Sequence, residues 1–220
     1  MATHRNSPPP HPIPPLGRAA KRAVDLSFAI VGILALGWLM VAAWLVATID
    51  TGRNGLFMQD RIGRDGRTFR VIKIRTMRVS REITTTVTTS TDARITPIGR
   101  LLRLSRIDEL PQLVNVLVGD MSLVGPRPDV PGWADRLEGD DRVILRIRPG
   151  ITGPATLHFR DEAQLLARQP DPERFNREVI WPAKVRLNRE YLQQWSLAGD
   201  FRLIARTLIP GRAGSGGSTR

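Results

Sequence analysis

Two adjacent carboxylates, Asp108 and Glu109, are the side chains in this sequence most suited to chemistry. They follow a segment in which Arg100, Arg103 and Arg106 recur every three residues. Carboxylates can bind a metal ion and arginines can bind anionic oxygens. Their mixture here therefore indicates a site that handles both. The simpler interpretation is a helix start with solvated ion pairs, which is what most isolated Asp-Glu pairs are. The surrounding sequence has to decide between the two.

Two proline-rich turns carry further basic side chains. Arg127 stands between Pro126 and Pro128 in the segment GPRP, and Arg148 opens the segment RPGITGP, which also contains the hydroxyl of Thr152. Flanking prolines restrict the backbone and so reduce the entropy that is lost when an arginine clamps an oxyanion. A rigid surface turn without a ligand is the alternative interpretation of the same residues.

The overall composition favours anionic partners and excludes several kinds of site. The chain of 220 residues has 33 Lys and Arg against 21 Asp and Glu, a net charge of +12, and is long enough for one main domain. It has no cysteine, which excludes disulfides, thiolate metal ligands and cysteine nucleophiles. Three histidines are too few for a histidine-rich centre, so any metal is expected to be a hard cation on oxygen ligands. Aromatic residues make up 5% of the chain, which is low for a protein that stacks single-stranded bases.

An uncharged segment of 24 residues, from Leu26 to Ile49, predicts a membrane-embedded helix. At about 1.5 Å per residue it is long enough to cross a hydrocarbon core of roughly 30 Å. Basic residues occur on both sides of it, which favours a segment that enters and leaves by the cytoplasmic face, with a bend at Gly32 or Gly37. The alternatives are an ordinary span, whose downstream basic residues belong to a folded domain, and a buried core helix.

The carboxylate pair is predicted to lie at the start of a helix. Ser105 and Asp108 are both plausible N-cap residues for a helix with Pro111 in its first turn, and Gly119 is suited to cap its C-terminus. The positive end of such a helix lowers the proton affinity of a carboxylate and also attracts phosphate. A nucleophile and its phosphoryl target would then share one electropositive pocket.

The remaining sequence alternates between short regular elements and loops. Residues 69–77 alternate apolar and basic side chains and predict a strand whose cationic face carries Lys73 and Arg75. Residues 80–91 are rich in threonine and predict a loop. Helices are expected over residues 134–147, 161–168, 183–194 and 200–209. The last of these is a basic amphipathic helix suited either to a membrane interface or to the core.

Several motifs, taken in order, resemble those of the bacterial sugar transferases, a family of polyprenyl-phosphate hexose-1-phosphate transferases also called monotopic phosphoglycosyl transferases. The motifs are KRAVDL from residue 21, QDRIGRDGRTFRVIKIRTM from residue 59, DARITPIGRLLR from residue 92, SRIDELPQLVNVLVGDMSLVGPRP from residue 105 and RPGITG from residue 148. The resemblance covers roughly residues 21–207, and several long motifs in the right order are far more specific than any one of them.

The resemblance implies an enzyme that moves a sugar 1-phosphate from a UDP-sugar to undecaprenyl phosphate, releases UMP and begins a surface glycan. In the family the aspartate is the covalent nucleophile on phosphorus and its glutamate neighbour supports Mg²⁺. By resemblance, Asp108 would form the phosphosugar intermediate and Glu109 would hold the metal. A carboxylate nucleophile splits the transfer into two steps, so ping-pong kinetics are expected. The expected substrate-binding residues are Lys73, Arg75, Arg103, Gln112, Arg127, Arg148 and Thr152.

The chain departs from the family pattern at two places. Members usually carry Ser-Pro in the middle of the membrane helix, where proline breaks the helix into a re-entrant hairpin, whereas this chain has Gly37-Trp38. Glycine costs a helix about 1 kcal/mol and proline about 3 kcal/mol, so the break is less strongly encoded here. After RPGITG many members continue with Trp-Ala-Gln, whereas this chain continues PATLHFRDEAQLLA. The resemblance therefore does not carry over the identity of the sugar.

The sequence as a whole predicts an α+β, predominantly helical protein with one small catalytic domain. Residues 1–17 would be a disordered proline-rich tail, 18–50 the re-entrant or spanning membrane helix, 51–210 the transferase domain on the cytoplasmic face of the bacterial inner membrane, and 211–220 a flexible tail. Membrane lipid is a further partner, a homodimer is allowed, and nucleic acid is not expected. The alternative function is a non-catalytic membrane-bound scaffold or regulator of a glycan assembly complex.

Overall fold

A single long helix, α1, runs from Pro15 to Thr51 in the computed structural model, which describes residues 12–79 and 88–209. All 37 residues of α1 are helical, and there is no break at Gly32 or Gly37. The helix therefore continues through the positions where a bend was predicted. Unlike proline, glycine keeps its backbone N–H, so the i→i−4 hydrogen bonds continue through both positions.

Residues 12–17, predicted as the end of the tail, belong to the folded part of the chain. Ile13 is 1% exposed and lies in the largest hydrophobic cluster, and α1 begins at Pro15. The predicted end of the tail at residue 17 was wrong for two reasons. The apolar side chain of Ile13 packs in the core, and proline is well tolerated in the first turn of a helix. The remainder of the predicted tail, residues 1–11, and the predicted tail 211–220 lie outside the described residues.

One face of α1 packs along the domain and the other is apolar and exposed. The buried residues follow at intervals of four or fourteen positions, which returns each of them to the same side of a helix: Lys21, Asp25, Ala29, Ala43 and Ala47. Only 11% of the residues in its most apolar 18-residue window are buried inside the protein. A core helix would bury far more, and α1 is long and apolar enough to cross a membrane.

A β-hairpin follows α1. Strand β1, Leu56–Ile62, pairs antiparallel with β2, Thr68–Ile74, with Leu56 opposite Ile74. The strand predicted over residues 69–77 is confirmed, although it ends at Ile74. Val71 and Ile74 are buried on opposite faces of the strand, each in a different hydrophobic cluster, and Lys73 shares the face of Val71.

Two short helices flank the carboxylate pair. Helix α2 is Pro97–Leu104, a 3₁₀ turn covers Ile107–Glu109, and α3 is Gln112–Val118. Residues 80–87 of the predicted threonine-rich loop, which precedes α2, lie outside the described residues.

The predicted N-caps of α3 were wrong. Ser105 is the C-cap of α2, Asp108 lies inside the 3₁₀ turn, and Pro111 occupies the N-cap position of α3. Arg106, at φ 60°, turns the chain between the two helices, so a separate turn forms where one helix start was expected. The predicted C-cap is confirmed, because Gly119 ends α3 with a left-handed φ of 101°.

The two proline-rich turns lie side by side. Strand β3, Ser122–Val124, leads into GPRP, and β4, Gly150–Thr152, belongs to RPGITG; the two strands pair in parallel. The backbones approach so closely that a Cβ on Gly150 or Gly153 would collide with the backbone of Gly125. Because these glycines have no side chain, the two turns can lie this close together.

The C-terminal part is helical. It comprises α4 (Pro154–His158), α5 (Glu162–Ala167), α6 (Pro172–Phe175), a π-helical segment (Asn176–Ile180), α7 (Trp181–Gln193) and α8 (Leu197–Leu208). The helices predicted over 161–168, 183–194 and 200–209 are confirmed as α5, α7 and α8. The helix predicted over 134–147 was wrong: it consists of two 3₁₀ segments, and Gly139, at φ 54°, lies where the second begins.

Three hydrophobic clusters hold these elements together, and α1 takes part in two of them. Ala29 packs with Val71 of β2 and Val116 of α3, while Ala47 lies in a second cluster with Leu102 of α2. Small side chains on α1 thus bring this helix against the elements that flank the carboxylate pair. The predominantly helical α+β fold is confirmed.

Candidate active site

The turn between α2 and α3 buries both carboxylates. Asp108 is 8% exposed and Glu109 is 9% exposed. The preceding Arg106 has a φ of 60°, a left-handed conformation that is uncommon for a residue with a side chain and that clusters at functional sites. These acids are therefore not the solvated ion pairs of the simpler interpretation.

Glu109 is paired with two cations. Arg127 Nη2 donates to Glu109 Oε1 at 2.5 Å, and Lys73 Nζ lies 3.4 Å from the same oxygen. Burial acts to raise the pKa of Glu109, but Arg127 and Lys73 outweigh it and hold that pKa well below its usual range. The pKa of Lys73 falls to about 8 because of burial and the charge of Arg127. Glu109 is thus a fixed anion that keeps two basic side chains in the site.

Asp108 is held differently. Its Oδ1 is buried and has no hydrogen-bond partner among the described residues. Burial, and then the charge of Glu109, raises the pKa of Asp108 to about 6, although Lys73, Arg103 and Arg127 act in the opposite direction. A carboxylate oxygen without a partner, close to several cations, is suited to attack an electrophile that carries negative charge.

Arg103 and Gln112, two of the predicted substrate ligands, lie near Asp108. Arg103 Nε donates to Thr76 Oγ1 at 2.8 Å, and burial lowers the pKa of this arginine against the charge of Asp108. Gln112 is 2% exposed, and its Nε2 has no partner among the described residues. It follows Asp108 by four residues of turn and helix, so the backbones of the two residues lie close together.

Arg148 lies at the other end of α3. Its Nε donates to Gly119 O at 2.7 Å, while the carboxylate pair precedes the first residue of α3. Seven helical residues separate the two ends by roughly 10 Å. The structure thus uses Arg148 to satisfy a carbonyl at the helix C-terminus and does not bring it into the group around Glu109.

Arg75 and Thr152 are also engaged away from the carboxylate pair. Arg75 Nε donates to Asn54 O at 2.8 Å, and its guanidinium lies 5.5 Å from the centre of the Phe57 ring. Thr152 is buried, and its hydroxyl lies 2.7 Å from the hydroxyl of Thr207 in α8. Of the predicted substrate ligands, the site therefore collects Lys73, Arg103, Gln112 and Arg127.

Sequence reasoning missed Arg61. Its Nη1 donates to Pro128 O at 3.1 Å, so it supports the GPRP turn from β1. Burial lowers the pKa of Arg61 to about 10, and the charges of Arg127 and Glu109 also act on it. The residue lies in the motif QDRIGR, but nothing in the local pattern separates it from its basic neighbours.

A comparison with known protein families shows which family these motifs belong to. The sequence model of the family described as bacterial sugar transferase matches residues 16–211, which is most of the chain. The chain belongs to the bacterial sugar transferase family. The resemblance inferred from the motifs is confirmed.

Several relatives of this chain are named as galactose or glucose transferases. The galactosyl transferase CpsE of Streptococcus agalactiae is 36% identical over 202 residues, which cover 86% of this chain and 41% of that protein. The UDP-glucose:undecaprenyl-phosphate glucose-1-phosphate transferase of Escherichia coli is 31% identical over 208 residues, covering 91% of this chain and 42% of that protein. An undecaprenyl-phosphate glucose phosphotransferase of Komagataeibacter xylinus is 36% identical and is covered over 35% of its length. The chain thus spans less than half the length of these curated relatives.

The oxygens of this candidate site suit a hard cation that is only partly bound by protein. Mg²⁺ usually keeps several waters and is held by one or two carboxylates together with substrate phosphates. Among residues 12–79 and 88–209, no three acidic or histidine side chains form a group of metal ligands. Glu109 fits this requirement as a single protein ligand, because its contacts with Lys73 and Arg127 within those residues are all made by Oε1.

Proposed function

We propose that this protein is an enzyme that transfers a sugar 1-phosphate from a UDP-sugar to undecaprenyl phosphate, through a covalent intermediate on Asp108. The observation that carries the proposal is the buried Asp108 oxygen, which has no partner among the described residues and lies among Lys73, Arg103 and Arg127. The names of relatives from Escherichia coli and Komagataeibacter xylinus support undecaprenyl phosphate as the acceptor.

The reaction has two steps. The Asp108 carboxylate attacks the phosphorus that bears the sugar; the bond from that phosphorus to the UMP oxygen breaks, and UMP leaves with the bonding electrons. A phosphate oxygen of the lipid then attacks the same phosphorus. The acyl phosphate bond breaks, Asp108 regains its free carboxylate, and a polyprenyl diphosphate sugar is released. Each step replaces one phosphorus–oxygen bond by another, so no oxidant or reductant is needed.

The cations would perform the electrostatic part of this reaction. Phosphoryl transfer needs little covalent machinery, and most of the rate comes from alignment and from neutralising charge on the phosphate oxygens. Arg127 and Lys73 are kept in the site by Glu109, and Arg103 is oriented by Thr76. Arg127 would bind oxygens of the transferred phosphate, and Lys73 and Arg103 would offset the negative charge of the attacking carboxylate and the diphosphate.

Glu109 would hold Mg²⁺ together with the diphosphate of the donor, and Asp108 would stay available for attack. When bound, the ion would supply Lewis-acid neutralisation of the phosphate oxygens and so make UMP a better leaving group. Lys73 and Arg127 then retain a second task, because they keep Glu109 ionised.

The contacts of α1 support a one-sided attachment to the membrane. Near its start, Asp25 accepts from Ser122 and from the backbone N–H of Leu123, and near its end Asp50 accepts from Thr96. The two aspartates are about 37 Å apart along a helix, which exceeds a hydrocarbon core of roughly 30 Å. If α1 crossed the bilayer, one of these contacts with the same domain would lie on the far side. We therefore expect α1 to lie along the cytoplasmic face with its apolar side in the lipid.

Neighbouring helices extend the apolar side of α1. Phe28 of α1 and Phe201 of α8 have ring centres 6.2 Å apart, and Leu208 of α8 is 74% exposed. On α2, Leu101 and Leu104 are 65% and 77% exposed. An amphipathic helix with such a face lies in the interface plane of a membrane. This surface would hold the carboxylate pair near the headgroup of a lipid phosphate.

The proposal is tested by exchange of labelled UMP into UDP-sugar in the absence of undecaprenyl phosphate. A two-step mechanism predicts exchange without the acceptor, and a purified chain with Mg²⁺ and a panel of UDP-sugars is sufficient to observe it. Turnover with the acceptor but no exchange without it would contradict the covalent mechanism. If no UDP-sugar gives UMP under any condition, a non-catalytic scaffold replaces the enzyme.

A further inference from the structure

A second group of charged side chains lies beside Arg127. Lys184 of α7 is paired with Glu162 of α5, with Nζ 2.8 Å from Oε1 and 2.7 Å from Oε2. Asp129 directly follows the GPRP turn, and its backbone oxygen accepts from Ile62 N at 2.8 Å. We refer to Asp129, Glu162 and Lys184 as the lateral cluster.

Arg127 connects the lateral cluster to the carboxylate pair. It hydrogen-bonds Glu109, and the charge of Glu162 acts with that of Glu109 to raise the pKa of Arg127 above its ordinary value. Burial raises the pKa of Asp129 to about 6, with Lys184 the strongest of the cations that oppose the rise. The charges of the lateral cluster therefore act on Arg127, and Asp129 lies two residues from it along the chain.

The Lys184–Glu162 pair is partly accessible. The Lys184 side chain is 17% exposed and that of Glu162 is 29% exposed. An ion pair with this much solvent contact adds about 0–1 kcal/mol to stability. The pair therefore contributes little to holding α5 against α7. Its charged ends can still reach a ligand, and they are shielded enough for hydrogen bonds to discriminate between ligands.

We propose that the lateral cluster binds the hydroxyl groups of the donor's sugar. A hydroxyl both donates and accepts, and the cluster offers acceptor-only carboxylates together with a donor-only ammonium. Two acids would repel the diphosphate and the phosphate of the lipid, whereas a neutral polyol has donors for them. The inference rests on the proposed function: the sugar is attached to the phosphate that Arg127 would bind, so its hydroxyls fall beside this arginine.

Calorimetric titration of the full chain in lipid nanodiscs tests the inference independently of turnover. The probes are UDP-glucose, UDP-galactose, UDP-N-acetylglucosamine and UMP, and the variants are Glu162→Gln and Lys184→Gln. We expect each variant to raise the Kd of the tightest UDP-sugar about tenfold, because a lost hydrogen bond to a ligand hydroxyl costs about that factor. The Kd of UMP, which lacks the sugar, should stay within twofold of the wild-type value.

Glu178→Gln is the matched control, because Glu178 pairs with Arg174 on the surface and its side chain is 56% exposed. It should leave every Kd unchanged. The inference is overturned if Glu162→Gln leaves the Kd of each UDP-sugar within twofold, or raises the Kd of UMP by the same factor. Loss of sugar affinity in a chain that releases no UMP would support the sugar site and refute the transferase. UMP release with unchanged sugar affinity in the variants would do the reverse.

Discussion

Two buried acids, Asp108 and Asp200, differ in how their oxygens are satisfied. Asp200, in the first turn of α8, is 3% exposed and accepts from Lys21 Nζ at 2.6 Å, Tyr191 Oη at 2.7 Å and Trp195 Nε1 at 3.2 Å. Asp108 is 8% exposed, and one of its oxygens has no partner among the described residues.

The difference separates an acid that holds the fold together from one that is available for chemistry. Three donors around Asp200 join α1, α7 and the start of α8, so its hydrogen-bonding capacity is used within the protein. The unused capacity of Asp108 has a cost in the folded state, and such a cost persists where a substrate is meant to relieve it. Burial alone therefore does not mark a reactive carboxylate; unmet hydrogen bonding among cations does.

The largest effect is expected from Asp108→Asn. Because an amide cannot form the phosphosugar intermediate, UMP release should fall by about 10³-fold or more. The free energy of unfolding should not decrease, since the change removes a buried charge with an unpaired oxygen. Binding to vesicles should be measured for the variant and the wild type and should be equal. Near-normal turnover by the variant would then show that Asp108 is not the nucleophile.

Asp200→Ala should have the opposite profile. It leaves Lys21 and Tyr191 without their acceptor, and breaking a buried charged pair costs about 3–5 kcal/mol of stability. Denaturant unfolding should detect this loss, while UMP release per folded molecule, measured well below the melting temperature, stays within a few-fold of the wild type. A large loss of turnover in a fully folded Asp200→Ala protein would remove the distinction between the two acids.

Arg127→Gln and Arg148→Gln compare two arginines that the sequence predicted to be equivalent. Arg127 touches Glu109, so its loss should reduce kcat/KM by about 10²-fold, as removal of one oxyanion donor does. Arg148 is bonded to the carbonyl of Gly119, so its substitution should reduce kcat/KM less than tenfold. Equal losses, by steady-state UMP release, would place Arg148 in the site after all.

The smallest effect is a pH dependence of stability, measured without Mg²⁺ as the difference between wild type and Asp108→Asn. The folded pKa of Asp108, about 6, lies above its ordinary value of 3.8. The ionised group therefore destabilises the fold above about pH 6, and this cost disappears as the pH falls below about 4. The variant should be more stable than the wild type by on the order of 2 kcal/mol at pH 7.5, and equally stable at pH 3.5. A difference independent of pH would contradict the raised pKa.

Sequence was sufficient where local pattern decides the outcome. Spacing or motif predicts the strand that carries Lys73, the helix C-cap at Gly119 and the two adjacent acids Asp108 and Glu109 between helices. The structure has each of them. The turn at Arg106 was missed because a left-handed φ is unusual for arginine and has no local signal.

Sequence was insufficient where distant segments meet. Arg148 and Arg127 look alike in the sequence, and only the packing of α3 separates them by placing the Gly119 carbonyl beside one and Glu109 beside the other. Glu162 and Lys184 lie in different helices, so their contact needs the tertiary structure. Helix α1 continues through the position of the predicted bend, because the glycine found there destabilises a helix too little to break it, unlike a proline.

The most direct test of covalent catalysis by Asp108 is the intact mass of the chain after incubation with Mg²⁺ and the UDP-sugar that supports turnover, in the absence of undecaprenyl phosphate. We expect a gain in mass equal to one sugar phosphate, mapped to the peptide containing Asp108, absent from Asp108→Asn and discharged when the lipid phosphate is added. Rapid turnover with no adduct at any time, or an adduct on another residue, would contradict it.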